Sequence, residues 1–288
     1  MNILTFDIEE WFAYNQPERY PEFDKYLEAI LDKLEERQLK ATFFCVGEMG
    51  RLFPKVIRKI HSKGHEIGCH SNTHTWLNKM SKADCQEDTR KAVDCLQQCV
   101  GEKIISYRAP AFSIGERNKW AFEVLAENGI ERDASVFPLA RDFGGFPQFG
   151  KKTPCLVDYN GICIKEFPIC TSFLMGKEFV YSGGGFFRFF PLWFVKREIK
   201  KADYSMCYFH IGDLLPERNG VLSKEAYEAY FKEKGTIQAR YSRYFKSNYG
   251  KKNALNKLMS LIDTTDFFDL RQSDRQIDWN KVPVISLL

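Results

Sequence analysis

Apolar residues along this chain fall into short strand-like runs separated by longer stretches with helical spacing. Ile3 to Ile8 reads as a buried strand. Asp24 can cap a helix to about Gln38 that gathers Tyr26, Leu27, Ile30, Leu31 and Leu34 on one stripe. Ala41 to Val46 is a second strand, Phe53 to Lys63 a helix closed by Gly64, and His65 to His70 a third strand. A long helix is expected over Ser81 to Val100, from a serine cap to Gly101. Ile104 to Arg108 and Glu131 to Ser135 are strands, and Arg117 to Asn128 is the helix between them. Alternation at this spacing predicts βα units around a parallel sheet.

The pattern changes after residue 143. Phe143 to Phe190 is rich in Gly, Phe and Pro, with strand-like pieces at Leu156 to Tyr159, Ile162 to Phe167 and Phe179 to Ser182. A helix over Pro191 to Lys201 leads to the strand Ser205 to His210. Polar helical segments follow Leu215, including Lys251 to Ile262, and the stretch from Arg271 shows no period and is expected to be an extended tail. No repeat or linker divides the chain, so one domain over 1–270 and a tail over 271–288 are expected.

Composition narrows the class. The chain has 288 residues and a net charge of +4, with no basic stripe, so nucleic acid is not an expected partner. The start at Met1 carries no basic region followed by a long apolar segment, so neither a secretory signal nor a transmembrane helix is expected. Nine cysteines without CxxC spacing then read as reduced thiols, and the expected location is the cytoplasm, with peripheral membrane association left open.

The candidate chemistry sits at expected strand ends. His70 and His74 follow the third strand in the run His-Ser-Asn-Thr-His. If the chain turns there into a helix, positions i and i+4 share a face and both imidazoles point the same way. Asp7 and Glu9 alternate with Ile8, so they project together from the first strand. Two imidazoles and a carboxylate suit zinc or another first-row metal. Arg108, Asp133 and His210 stand at later strand ends, and each alone is equally well a surface or core residue.

Together these residues resemble the polysaccharide deacetylase family, the metal-dependent carbohydrate esterases with the NodB homology domain. The matching motifs, in order, read TFDIE, HSNTH, RAPAF, DASVFP and FH. Arg108-Ala109-Pro110-Ala111-Phe112-Ser113-Ile114, Trp120-Ala121 and Ser182-Gly183-Gly184-Gly185-Phe186-Phe187-Arg188 are similar to a bacterial branch linked to exopolysaccharide and cell-surface glycan synthesis.

The resemblance implies a single-domain α/β fold, an irregular (β/α) barrel of about seven strands. It implies hydrolysis of an N-acetyl group on an amino-sugar glycan or glycan precursor. Glu9, His70 and His74 would hold a divalent metal, zinc foremost, with Glu10 the alternative to Glu9. Asp7 would be the general base, oriented by Arg108, and His210 the general acid, with Asp133 its carboxylate partner. A backbone N–H at Ala111 or Phe112 would complete an oxyanion hole, and Trp11 would line the groove. Two positions depart from the family pattern: Glu9 replaces the commoner aspartate, and Ile211 rather than proline follows the late histidine. The rival readings are hydrolysis of a non-sugar amide and a catalytically silent glycan-binding protein.

Overall fold

The computed structural model describes residues 1–10, 17–141, 144–215, 220–231 and 233–287. In chain order its strands are β1 (Asn2–Ile8), β2 (Thr42–Cys45), β3 (Glu66–Cys69), β4 (Ser106–Tyr107), β5 (Arg132–Asp133), β6 (Cys155–Tyr159), β7 (Ile162–Glu166), β8 (Ser172–Leu174), β9 (Lys177–Phe179), β10 (Ser205–His210) and β11 (Val284–Ser286). The main sheet has nine strands in the order β10-β1-β2-β3-β4-β5-β7-β6-β11. From β10 to β7 all neighbours run parallel, while β6 pairs antiparallel with β7 and β8 forms a separate hairpin with β9. The helices Tyr20–Glu36, Pro54–Ser62, Lys82–Val100 and Ala121–Glu127 alternate with β1 to β5. The fold is therefore α/β, built on a central parallel sheet.

The sheet curls like a barrel. Arg108, just past β4, donates from Nη1 to Thr5 Oγ1 on β1 at 2.8 Å and from Nε to the Ala134 carbonyl beside β5 at 3.2 Å, while Nη2 lies 3.0 Å from Met206 Sδ on β10. In a flat sheet β4 and β10, four places apart, would be about 19 Å from each other, beyond the reach of one side chain. No pairing of β7 with β10 closes the ring among the described residues. Instead Tyr204 Oη donates to the Pro168 carbonyl and Ser182 Oγ to the Met206 carbonyl, both at 2.7 Å, so the segment after β7 lies against β10.

Strand alternation sorts the two faces. Thr5 and Asp7 point inward to Arg108. Phe6 points outward, where it stacks on Phe43 at a ring separation of 4.9 Å. Most expected elements occur, with ends moved by a few residues. Ser81 caps its helix by accepting from the Asp84 N–H, and Gly101 ends it in the left-handed conformation.

Two expectations need correction. The strand expected over Phe179 to Ser182 ends at Phe179, because Ser182 is drawn to β10. The stretch from Arg271 is not an extended tail: Leu270–Gln276 is a helix with a capping box between Asp269 and Gln272, and β11 pairs parallel with β6. The Arg271 N–H donates to Glu66 Oε2 at 3.1 Å, and Asp274 meets Arg132 at 3.1 Å, so this segment docks on the end of the sheet opposite the site. A seven-residue helix and a three-residue strand are too short to show a hydrophobic period.

Candidate active site

The histidine pair converges by a different route from the one expected. Residues 70–76 form no helix. Ser71 and His74 instead adopt left-handed backbone at φ 61° and 58°, which curls the loop back on itself. Asp88 on the helix Lys82–Val100 holds the loop by accepting from the Asn72 N–H at 2.8 Å. The two rings end 5.2 Å apart.

Both Nε2 atoms face one carboxylate oxygen. Glu9 Oε2 is 3.1 Å from His70 Nε2 and 2.5 Å from His74 Nε2, and all three atoms lie within 4.8 Å of one another. His70 Nδ1 lies 2.6 Å from the Arg108 carbonyl, which can only accept, so the neutral ring carries its proton there. Its Nε2 is then the nitrogen left to coordinate a cation beside Glu9 Oε2. His74 Nε2 is buried, and its contact with Glu9 lacks hydrogen-bond geometry. The donor set thus fits a divalent metal, and two histidines with one glutamate suit zinc. Burial opposes the charge of Glu9, but His74 and His210 outweigh it and hold the carboxyl well below its usual range. Glu10 turns away to accept from the Gly212 N–H at 2.9 Å, so it is not in the cluster.

Asp7 sits beside this cluster, 2 % exposed, with Oδ1 accepting from Arg108 Nη1 at 2.8 Å. The guanidinium is itself fully buried and lies 4.4 Å from the centre of the Phe44 ring. Gly68 makes room for that ring, since a Cβ there would come within 2.5 Å of it. Asp7 Oδ2 faces His210 Nε2 across 3.7 Å.

Asp133 is not the partner of His210. Its Oδ1 accepts from Ser135 Oγ at 2.5 Å, and Ser135 Oγ in turn accepts from the Ala109 N–H at 2.7 Å. Burial raises the Asp133 carboxyl and pushes neighbouring Glu166 well above its usual range, which fits one proton shared between them. Asp133 therefore supports the turn that carries Arg108.

His210 is served instead by Asp213, three residues on in the helical turn Ile211–Leu214. Its Nδ1 lies 2.7 Å from Asp213 Oδ2, and Arg188 Nη2 stands 3.3 Å from Asp213 Oδ1. Burial alone would lower His210, but the charge of Glu9 and the hydrogen bond and charge of Asp213 push it up to about 10. The i, i+3 spacing of a histidine and an aspartate just after a strand was the sequence signal for this pair.

Ala111 and Phe112 occupy a turn with both residues at positive φ. The Phe112 N–H is committed to the Ala109 carbonyl at 3.0 Å, which leaves Ala111 as the better oxyanion donor of the two. Trp11 lies outside the described residues. In the glycine-rich segment, Gly183 (φ 107°) packs so closely on β10 that a Cβ would meet the Tyr208 ring at 2.4 Å. Phe187 is buried there, while Phe186 and Phe189 are exposed rather than in the core.

Residues 2–132 match the polysaccharide deacetylase family and residues 134–274 a domain of unknown function (DUF3473). The chain is 34% identical over 116 residues to a peptidoglycan-N-acetylglucosamine deacetylase of Bacillus cereus, covering 38% of this chain and 42% of that protein. It is 29% identical over 107 residues to a chitooligosaccharide deacetylase of Sinorhizobium fredii, covering 37% of this chain and 47% of that protein. The chain thus spans under half the length of these relatives. Among solved structures, a protein of polysaccharide deacetylase type from Mycobacterium smegmatis superposes with a TM-score of 0.62 at 15% identity, over 98% of this chain and 91% of its own. A family 4 carbohydrate esterase pseudoenzyme from Bacillus anthracis gives 0.50 at 11% identity, over 99% and 66%. At such identities these two show the fold alone. Residues 2–132 thus carry a polysaccharide deacetylase domain, with the motifs of that family in their order, and the remainder of the chain completes the site.

Proposed function

We propose that this protein is a metal-dependent hydrolase that removes N-acetyl groups from an amino-sugar glycan or glycan precursor in cell-surface polysaccharide synthesis. The convergence of Glu9, His70 and His74 between an oriented carboxylate, Asp7, and an oriented imidazole, His210, carries the reading. Glu9, His70 and His74 would hold a divalent metal, zinc foremost, which would supply Lewis acidity toward the acetamide and make water more acidic. Asp7 Oδ2 takes the proton of the attacking water, while Arg108 holds the other oxygen. His210 Nε2 delivers a proton to the sugar nitrogen as the C–N bond breaks, so the products are acetate and a free amine. Asp213 holds His210 by Nδ1 and keeps it charged for that step. The Ala111 N–H faces the developing oxyanion.

The relatives named for peptidoglycan and chitooligosaccharide deacetylation support an N-acetylated glycan as substrate. Among the described residues no helix is long and apolar enough to cross a membrane. All nine cysteines are free thiols, which supports a cytoplasmic location. The experiment is acetate release from a panel of N-acetylated sugars and small linear and cyclic amides. Release from sugars alone is expected. Release from small amides alone would move the assignment to the non-sugar reading, and binding without release to the silent one.

A further inference from the structure

A cavity of about 540 Å³ opens beside Glu9 and His210 and extends toward the helix Ile237–Asn248. That volume lies in the range that encloses a ligand larger than one sugar ring. Its wall away from the metal ligands is basic, with Arg188, Arg240, Arg243 and Lys251. Carboxylates meet part of this charge, Asp213 at Arg188 (3.3 Å) and Glu233 at Arg243 (3.0 Å), while Glu9 belongs to the ligand cluster and Glu10 accepts from Gly212.

Two of these arginines are held in place with a donor to spare. Arg188 is 9 % exposed, donates from Nη1 to the Ser247 carbonyl and meets Asp213 through Nη2. Arg240 Nη1 donates to the Leu222 carbonyl at 2.9 Å. In both residues the Nε is buried and has no hydrogen-bond partner among the described residues. A buried N–H without an acceptor is costly, so both guanidiniums in this wall are incompletely satisfied among the described residues. The planar guanidinium matches carboxylate and phosphate oxygens.

We infer that this cavity binds an anionic group, a carboxylate or a phosphate, on the unit next to the N-acetylated sugar, so that the substrate class is an acidic glycan. The sugar part rests on the deacetylase reading above; the anion part rests on the cavity itself. Arg188 then links the anion to the reaction, since it contacts the same Asp213 that orients His210.

Calorimetric titration of the zinc-loaded full chain tests this with three oligosaccharides of one length, based on N-acetylglucosamine. One is neutral, one carries a 6-carboxylate on the neighbouring unit, and one carries a terminal phosphate. At least one acidic ligand is expected to bind about tenfold more tightly than the neutral one. The advantage is expected to shrink with added salt and to vanish in Arg240→Gln. Whichever acidic ligand wins identifies the source of the anion. Equal affinities for all three in the wild-type protein would overturn the proposal, and so would an advantage intact in a folded Arg240→Gln. The wild-type comparison does not depend on how the variant folds. An anion preference without acetate release would overturn the deacetylase reading alone, and release without preference would overturn this proposal alone.

Discussion

Asp213 Oδ2 lies 2.7 Å from His210 Nδ1, so the proposed acid takes its carboxylate from its own helical turn and not from the aspartate motif on β5. This pairing places the proposed acid and its partner in the part of the chain matched to the domain of unknown function, while the proposed base and metal ligands come from the other part. The site needs both.

Asp213→Asn is expected to lower turnover roughly 10²-fold with metal content unchanged. Asp213 helps to raise His210 to about 10, so the variant's alkaline limb in a pH–rate profile should move to lower pH. In the metal-bound enzyme the ion offsets the charge of Glu9, and the wild-type limb is expected below 10. Asp133→Asn should leave the position of that limb unchanged. A limb that moves in Asp133→Asn and not in Asp213→Asn would reverse the assignment.

Asp7→Asn and His74→Ala separate base from ligand. The first is expected to keep its metal by elemental analysis and lose roughly 10²–10⁴ in rate. The second is expected to lose the metal. Metal loss in Asp7→Asn would make Asp7 a ligand.

Arg108 has two tasks that substitution separates. Its carbonyl orients His70 and its guanidinium holds Asp7. Arg108→Met leaves the carbonyl in place but strands a buried carboxylate, at a cost of roughly 3–5 kcal/mol. Chemical denaturation should show that loss, while Arg108→Lys should fold better and still turn over slowly for want of the fork.

His65, at the opposite end of β3, sets an acid limit on stability. It is 1 % exposed, Nδ1 accepts from the Ala41 N–H at 3.3 Å, and burial first, then the charges of Lys40, Lys63 and Arg271, push the imidazole down to about 3. The unfolded chain takes up this proton near pH 6.5, the folded chain only near 3. The contribution is therefore complete above 6.5 and lost as pH falls toward 3, by a few kcal/mol in all. Urea midpoints between pH 7 and pH 4 should fall less steeply in His65→Gln; identical slopes would remove His65 from the acid response.

Much of this was legible in the sequence, residue by residue. Alternation carried one residue past β1 puts Asp7 and Glu9 on one face, Arg108 follows β4, and His210 ends β10. The fold class follows from the same βα alternation. The route of the HSNTH loop was not legible, because it depends on left-handed backbone at Ser71 and His74 and on Asp88 from a distant helix. Motif order points to Asp133, whereas the local signal is the i, i+3 spacing of His210 and Asp213. The Asp133–Glu166 pair joins β5 to its neighbour β7, a pairing that skips β6 and so is hidden in the order of strands along the chain.

Metal back-titration of chelated protein tests the central claim most directly, with acetate release from an N-acetylated oligosaccharide as the readout. Acetate release should be absent in the metal-free chain, rise linearly with added zinc and level off at one equivalent, and His74→Ala should show no such rise. Full release in the metal-free protein, or a zinc response undiminished in His74→Ala, would contradict a hydrolase built on Glu9, His70 and His74.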